Sequence, residues 1–226
     1  MSDLHAIAII PARGGSKGVP RKNLRLVGGK PLIAHTILQA KAAQGIERVY
    51  VSTDDAEIAQ VARDFGALVI DRPAELAGDT TGSEPVLSHA LPLARRDGPV
   101  DLVVFLQCTS PVRGKTDLDQ ALAKLSAEKA DSLLSVSASH RFLWRQSPDG
   151  PVAINYDPAH RPRRQDLEAQ YWENGSFYIF CPWVLEQLGN RLGGRITVFE
   201  MAETAAYDID DETDIAVVDF LMSRTA

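Results

Sequence analysis

A chain of 226 residues, 45% of them hydrophobic, can bury one full core and is expected to form one domain over residues 1–226. Its formal net charge of −6 argues against general nucleic-acid binding, which needs broad neutralisation of phosphates by Lys and Arg. No apolar run approaches the roughly 18 to 20 residues that cross a bilayer, and the stretch from Met1 to His5 has no signal-peptide layout, so the expectation is a cytoplasmic protein with no membrane partner.

Apolar runs alternate with helical patterns, which predicts an α/β fold with a mainly parallel, Rossmann-like sheet flanked by helices. The first strand covers residues 6–11. A Gly-rich loop follows, and then a helix opening near Pro31 with Leu32, Ile33, Ile37 and Ala40 on one face. A second strand over 48–52 ends in Thr53, Asp54 and Asp55, short polar residues suited to capping the next helix. That helix carries Ile58, Val61, Ala62 and Phe65 and stops at Gly66. A short strand over 68–70 leads to a polar loop and a helix from Ser83, expected to bend or end at Pro92. Residues 101–106 read as a strand buried on both faces, followed by a loop from Gln107 to Lys115, a helix marked by Leu118, Leu122 and Leu125, and a strand over 132–136.

Residues 139–171 break this rhythm with Arg, Pro, Gln and aromatic side chains, which predicts a protruding hairpin or arm. The pattern resumes with a strand over 176–180, a helix from Pro182, a strand over 196–199 and a last helix from near Asp211. Cys108 and Cys181 are too few for a disulfide framework, lack metal-ligand spacing, and are expected to be buried thiols.

Three features fall at the ends of predicted strands, where open α/β sheets bind ligands. The first is the loop from Pro11 to Asn23, whose glycines Gly14, Gly15 and Gly18 let backbone N–H groups approach an anion while Arg13, Lys17, Arg21 and Lys22 supply charge. It matches neither GxxxxGK[ST] nor GxGxxG, and its composition alone is also that of a surface turn. The second is the Gln107 loop. The third is Asp208-Ile209-Asp210, placed at a strand end so that both carboxylates share one face and can hold Mg²⁺, a hard cation that prefers oxygen ligands. Taken alone, the acids from Asp208 to Asp214 also read as a helix start rich in capping groups.

At the first loop the sequence resembles the CMP-sialic acid synthetases (N-acylneuraminate cytidylyltransferases). The resemblance rests on Ala12-Arg13-Gly14-Gly15-Ser16-Lys17-Gly18 with Lys22-Asn23, and continues through Val51 to Asp54, Arg72-Pro73-Ala74-Glu75-Leu76, Gln107-Cys108-Thr109-Ser110-Pro111, Arg161 to Asp166, Glu173 to Tyr178 and Asp208-Ile209-Asp210. These strings span nearly the whole chain in the family's order. The resemblance implies transfer of CMP from CTP to an N-acylneuraminate or related nonulosonic acid, with Mg²⁺ as cofactor and pyrophosphate as the other product. It implies that Arg13, Gly14, Ser16, Lys17, Lys22, Asn23, Arg72 and Ser83 bind the nucleotide. Lys22, an exposed loop cation, would act at the α-phosphate with Arg13 and Asp210 as further catalytic groups, and Asp208 and Asp210 would hold the metal. Gln107, Asn174, Tyr178 and one or both of Arg163 and Arg164 would meet the sugar acid, an arginine fork pairing with its carboxylate.

The resemblance further implies a homodimer in which the 139–171 arm reaches the second subunit, although the same aromatic residues could form a flap over their own cleft. Legionaminic, pseudaminic and deaminated neuraminic acids are alternative substrates; Kdo enzymes lack the Gly14 to Gly18 run. From another class, the same cleft could serve a non-catalytic nucleotide-sugar sensor.

Overall fold

A computed structural model describes residues 4–16 and 18–224. Lys17, one of the expected nucleotide-binding residues, lies outside the described residues. The elements run in the order β1 (Ala6–Pro11), β2 (Leu26–Val27), β3 (Lys30–Pro31), α1 (Leu32–Ala42), β4 (Arg48–Thr53), α2 (Ala56–Asp64), β5 (Leu68–Asp71), α3 (Ser83–Ala94), β6 (Leu102–Leu106), α4 (Asp117–Ala127), β7 (Ser132–Ser139), β8 (Trp144–Ser147), β9 (Gly150–Ala153), β10 (Gln170–Phe180), α5 (Pro182–Leu188), β11 (Ile196–Met201) and α6 (Glu212–Arg224).

Seven strands form one sheet in the order β11-β7-β10-β6-β1-β4-β5. Every pairing in it is parallel except those of β10, which runs antiparallel to both β6 and β7. The central strands are apolar on both faces because helices cover both. Ala8, Ile10, Val104, Leu106 and Phe177 point into a core shared with α1, α2 and α4, whereas Ile7, Ile9, Phe105 and Tyr178 point into one shared with α3 and α5. A third, smaller cluster joins Val27, Leu32, Val112, Ile209 and Val218, so α6 packs over the first loop's hairpin.

The local signals act as their chemistry dictates. Asp55 caps α2, accepting bonds from the N–H groups of Glu57 and Ile58, and Gly66 closes it at φ +81. Pro92 does not end its helix: α3 runs on to Ala94. The carbonyl of Ser88, deprived of its donor, is on an exposed residue, and Pro92 falls in the final turn, so the usual penalty for an interior proline is confined to a solvated end.

Two expectations about the later strands change. The strand expected at 176–180 begins at Gln170, and its register against β7 shifts between Glu173 and Tyr178, where Gly175 takes φ +69. The Asp208-Ile209-Asp210 segment is not at a strand end, because β11 stops at Met201 and a 3-10 turn over Glu203–Ala206 intervenes.

The arm is a small hairpin, β8 against β9. Its base is tied by Asn155, which donates to the carbonyl of Arg141 and to Gln170 and accepts from the N–H of Leu143. Phe142 and Trp144 both pack edge-on against Tyr156, at 4.7 and 6.0 Å between centroids. Trp144, Tyr171 and Trp172 remain substantially exposed.

Candidate active site

The chain leaves β1 with the N–H of Ala12 bonded to Ser52 and turns through the Gly-rich loop over the C-terminal ends of β1 and β4. The N–H of Gly14 donates to Asp54, and a Cβ at Gly14 would lie 2.6 Å from Asp55 Oδ2. At Gly18 a Cβ would lie 2.2 Å from the carbonyl oxygen of Asp210, so the loop meets the acidic segment at a distance only glycine permits.

Four cations of this segment, with no acidic neighbour in sequence, find one in space. Arg13 pairs with Asp79 at 2.7 Å, Arg21 with Asp55 and Glu57, Arg25 with both oxygens of Glu212, and Lys22 with Asp210 at 3.3 Å. Burial opposes ionisation of Asp55, but bonds from Ile58 and Arg21 outweigh it and hold its carboxyl below the usual range. Lys22 is not an exposed cation: its side chain is only 14% accessible, and its Nζ also donates to the carbonyl of Ile209 at 2.5 Å. Asn23 acts within the loop, its amide donating to the carbonyl of Arg13.

Two pockets meet here. The smaller, of about 270 Å³, is lined by Arg13, Ser16, Lys22, Asn23, Arg72, Ser83 and Gln107. Arg72 is buried and its guanidinium donates to the hydroxyl and carbonyl of Ser52. Burial pulls its pKa down, while the nearby charge of Asp54 opposes this. Ser83 is the first residue of α3, whose N-terminal end faces this pocket. Gln107 thus stands with the residues expected at the nucleotide. Cys108, on the same wall, is a buried thiol whose pKa burial pushes up to about 12.

The larger pocket, of about 1120 Å³, is lined by Arg141, Arg164, Trp172, Tyr207, Asp208 and Asp210 among others. Arg141 lies over the Trp172 indole at 4.9 Å. Lys22, Ile209 and Asp210 form the partition between the pockets. Ile209 is buried and its N–H bonds to Thr109, which turns the carboxylates on either side of it outward.

The acidic segment divides its labour. Asp211 and Asp214 accept the backbone N–H groups at the start of α6, leaving Asp208 and Asp210 free of capping duty. Asp208 accepts from the hydroxyl of Ser110 at 3.0 Å. Among the described residues no group of three His, Cys, Asp or Glu side chains gathers. Two hard oxygen donors flanking a buried residue nevertheless suit Mg²⁺, which typically takes one or two carboxylates and completes its shell with water and substrate phosphate.

Three expected acid-binding residues line neither pocket of this chain. Arg163 forks onto Asp166 at 2.6 and 3.0 Å in the exposed arm, whereas Arg164 lines the larger pocket. Asn174 is buried and spends its amide on Ser135, Ser137 and the N–H of Ser176, holding the irregular turn of β10. Tyr178 stacks on Phe105 beneath the smaller pocket, and its hydroxyl donates to Glu173. Burial first, and then the Glu173 bond, raise its pKa.

Sequence reasoning did not single out Arg113. Its guanidinium donates to the carbonyls of Gln107 and Ser176, to Gln39 and to Thr36. The only signal in the sequence is a lone arginine closing a loop of small and apolar residues.

Comparison with known proteins bears on this arrangement. An N-acylneuraminate cytidylyltransferase of Oncorhynchus mykiss is 36% identical over 219 residues, 95% of this chain and 50% of that protein, so the chain spans about half the length of that relative. The post-translational flagellin modification protein B of Campylobacter coli is 32% identical over 96% of this chain and 95% of its own length. A solved structure of CMP:2-keto-3-deoxy-manno-octonic acid synthetase complexed with CTP superposes with a TM-score of 0.73, covering 98% of this chain and all of that one. At 22% identity, that likeness shows the fold alone. The cytidylyltransferase family model matches residues 7–217, and the chain belongs to the cytidylyltransferase family.

Proposed function

We propose that this protein transfers CMP from CTP to the anomeric hydroxyl of a sialic-type nonulosonic acid, releasing pyrophosphate and requiring Mg²⁺. The observation that carries the reading is the Lys22–Asp210 pair, whose lysine lines a pocket with basic and glycine-rich walls and whose aspartate, with Asp208, lines the larger one. In phosphoryl and nucleotidyl transfer the protein mainly positions reactants and stabilises charge. Arg13 and the start of α3 would hold the outer phosphates, and Lys22 would meet the charge that grows on the α-phosphate as the acid's oxygen bonds to phosphorus and pyrophosphate departs. Arg164 would pair with the acid's carboxylate. Mg²⁺ at Asp208 and Asp210 would neutralise phosphate oxygens. The names of the relatives support an N-acylneuraminate as the acid.

The test is pyrophosphate release with CTP and a panel of N-acetylneuraminic, deaminated neuraminic, legionaminic and pseudaminic acids and Kdo. Release with a nonulosonic acid supports the proposal, whereas CTP binding without release from any acid would make the protein a sensor. Asp208→Asn and Asp210→Asn should each raise the Mg²⁺ concentration for half-maximal release by about tenfold, since an amide removes charge from the site. Unchanged Mg²⁺ titration curves in both would remove the pair from metal binding.

Among the described residues no helix is long and apolar enough to cross a membrane, and we place the reaction in the cytoplasm. The exposed Trp144, Tyr171 and Trp172 support a homodimer whose arm completes the partner's acid pocket. An Arg163→Ala variant, altered in the part of the arm that lines neither pocket of its own chain, mixed with Lys22→Ala should then regain activity through one intact site per heterodimer. A monomer in sedimentation, or heterodimers without rescue, would make the arm a flap on its own cleft.

A further inference from the structure

Arg113 carries a positive charge into the protein without a carboxylate to receive it. All four of its side-chain bonds end on neutral oxygens: Thr36 Oγ1 at 3.2 Å, Gln39 Oε1 at 2.8 Å, and the carbonyls of Gln107 and Ser176 at 2.6 and 2.7 Å. Its Nε is buried and has no hydrogen-bond partner among the described residues. Burial brings its pKa down to about 10, against the attraction of more distant Cys108, Asp117 and Asp208. An unpaired guanidinium is a costly way to fill space, which an apolar side chain would do without desolvating a charge.

The bonds show what the charge organises. Gln107 is where the chain leaves β6, and its own N–H bonds to the carbonyl of Ser176, so one guanidinium nitrogen fastens two strands at the point where they part. The loop that begins there carries Gln107 on the smaller pocket, Thr109 bonded to Ile209, and Ser110 bonded to Asp208. Gln39, which receives Arg113, also donates to the carbonyl of Pro111 in the same loop. The loop therefore lines the smaller pocket and bonds to Asp208 of the larger one, and Arg113 holds it at its two ends.

We propose that Arg113 is a positioning residue that sets the Gln107 loop so that Gln107 and the Asp208 side of the partition stay in register for the reaction. The inference rests on the function proposed above and on Gln107 meeting a reactant. Arg113 touches neither pocket and acts only through the loop.

The experiment is a double-mutant cycle on kcat/KM for pyrophosphate release, with thermal melts and calorimetric CTP binding on each variant. Arg113→Lys keeps the charge but cannot reach both carbonyls and α1 together, and should lose on the order of 10²-fold, the scale of a 1 Å misplacement. Gln107→Ala should lose a similar factor. Combining them should cost no more than about threefold beyond the worse single variant, because the second change removes a contact already lost. Multiplying losses, or parental kcat/KM in Arg113→Lys, would overturn the proposal while leaving Gln107 in the site. If Gln107→Ala is silent toward both substrates, the assignment of Gln107 fails and takes this inference with it, while CTP-dependent release stands. Should Arg113→Lys not fold, Arg113→Gln is put through the same cycle; failure of both to fold would make Arg113 a core residue and overturn the positioning role.

Discussion

Lys22→Ala is expected to lower pyrophosphate release by about 10²- to 10³-fold, the range seen when one preorganised donor is taken from a developing oxyanion. The structure explains why the ammonium is preorganised. Its Nζ is held between the carbonyl of Ile209 and the carboxylate of Asp210, on the partition where the two pockets meet. Because the side chain is mostly covered, alanine also leaves the Ile209 carbonyl short of a charged donor, at about 1–2 kcal/mol. A loss of that size lowers the melting temperature by roughly 2–8 °C in a chain of this length. The two effects are separable: steady-state kinetics well below the melting transition report the first and calorimetry the second. A variant with near-parental turnover would remove Lys22 from the chemistry whatever its melting temperature.

Gly18→Ala should be nearly as damaging without touching a charged group. Its methyl would be built 2.2 Å from the Asp210 carbonyl oxygen, a backbone atom with no rotamer to escape through. Either the loop lifts or the acidic segment retreats, and both pull Lys22 and Asp210 apart. Overpacking of this kind costs about 1–3 kcal/mol, and a displacement near 1 Å at the partition costs on the order of 10²-fold in rate. Gly15→Ala is the control, since a Cβ there meets nothing within 4 Å and should leave the melting temperature unchanged. A Gly18→Ala variant with parental melting temperature and parental activity would show that the close approach of loop and partition has no consequence.

The sheet was legible because its strands and helices announce themselves locally. Continuous apolar runs such as residues 102–106, capping at Asp55 and the stop at Gly66 all depend on near neighbours, and the structure follows them. What the sequence left unseen shares a cause in distant contacts. Lys22 looked exposed because its partners lie nearly two hundred residues away at Ile209 and Asp210. The loop looked like bare positive charge because Asp55, Asp79 and Glu212 arrive from elsewhere in the fold. Asn174 and Tyr178 make internal bonds that their motif does not announce, because β10 lies deep in the sheet and its partners come from other strands and from Glu173. Arg113 was invisible because its bonds go chiefly to backbone carbonyls and neutral side chains, which no residue pattern encodes.

The pairing of Ser139 with Gln170 closes the base of the arm. Everything between those two positions is an excursion whose ends are already fixed side by side by the main sheet. The entropic cost of such an excursion grows only with the logarithm of its length, so residues can be added or deleted there with little effect on the sheet. The arm is in this sense a cassette. Its length and surface are free to diverge between relatives at nearly constant stability, while the partition at Lys22 and Asp210, wedged against Gly18, tolerates almost no change in shape.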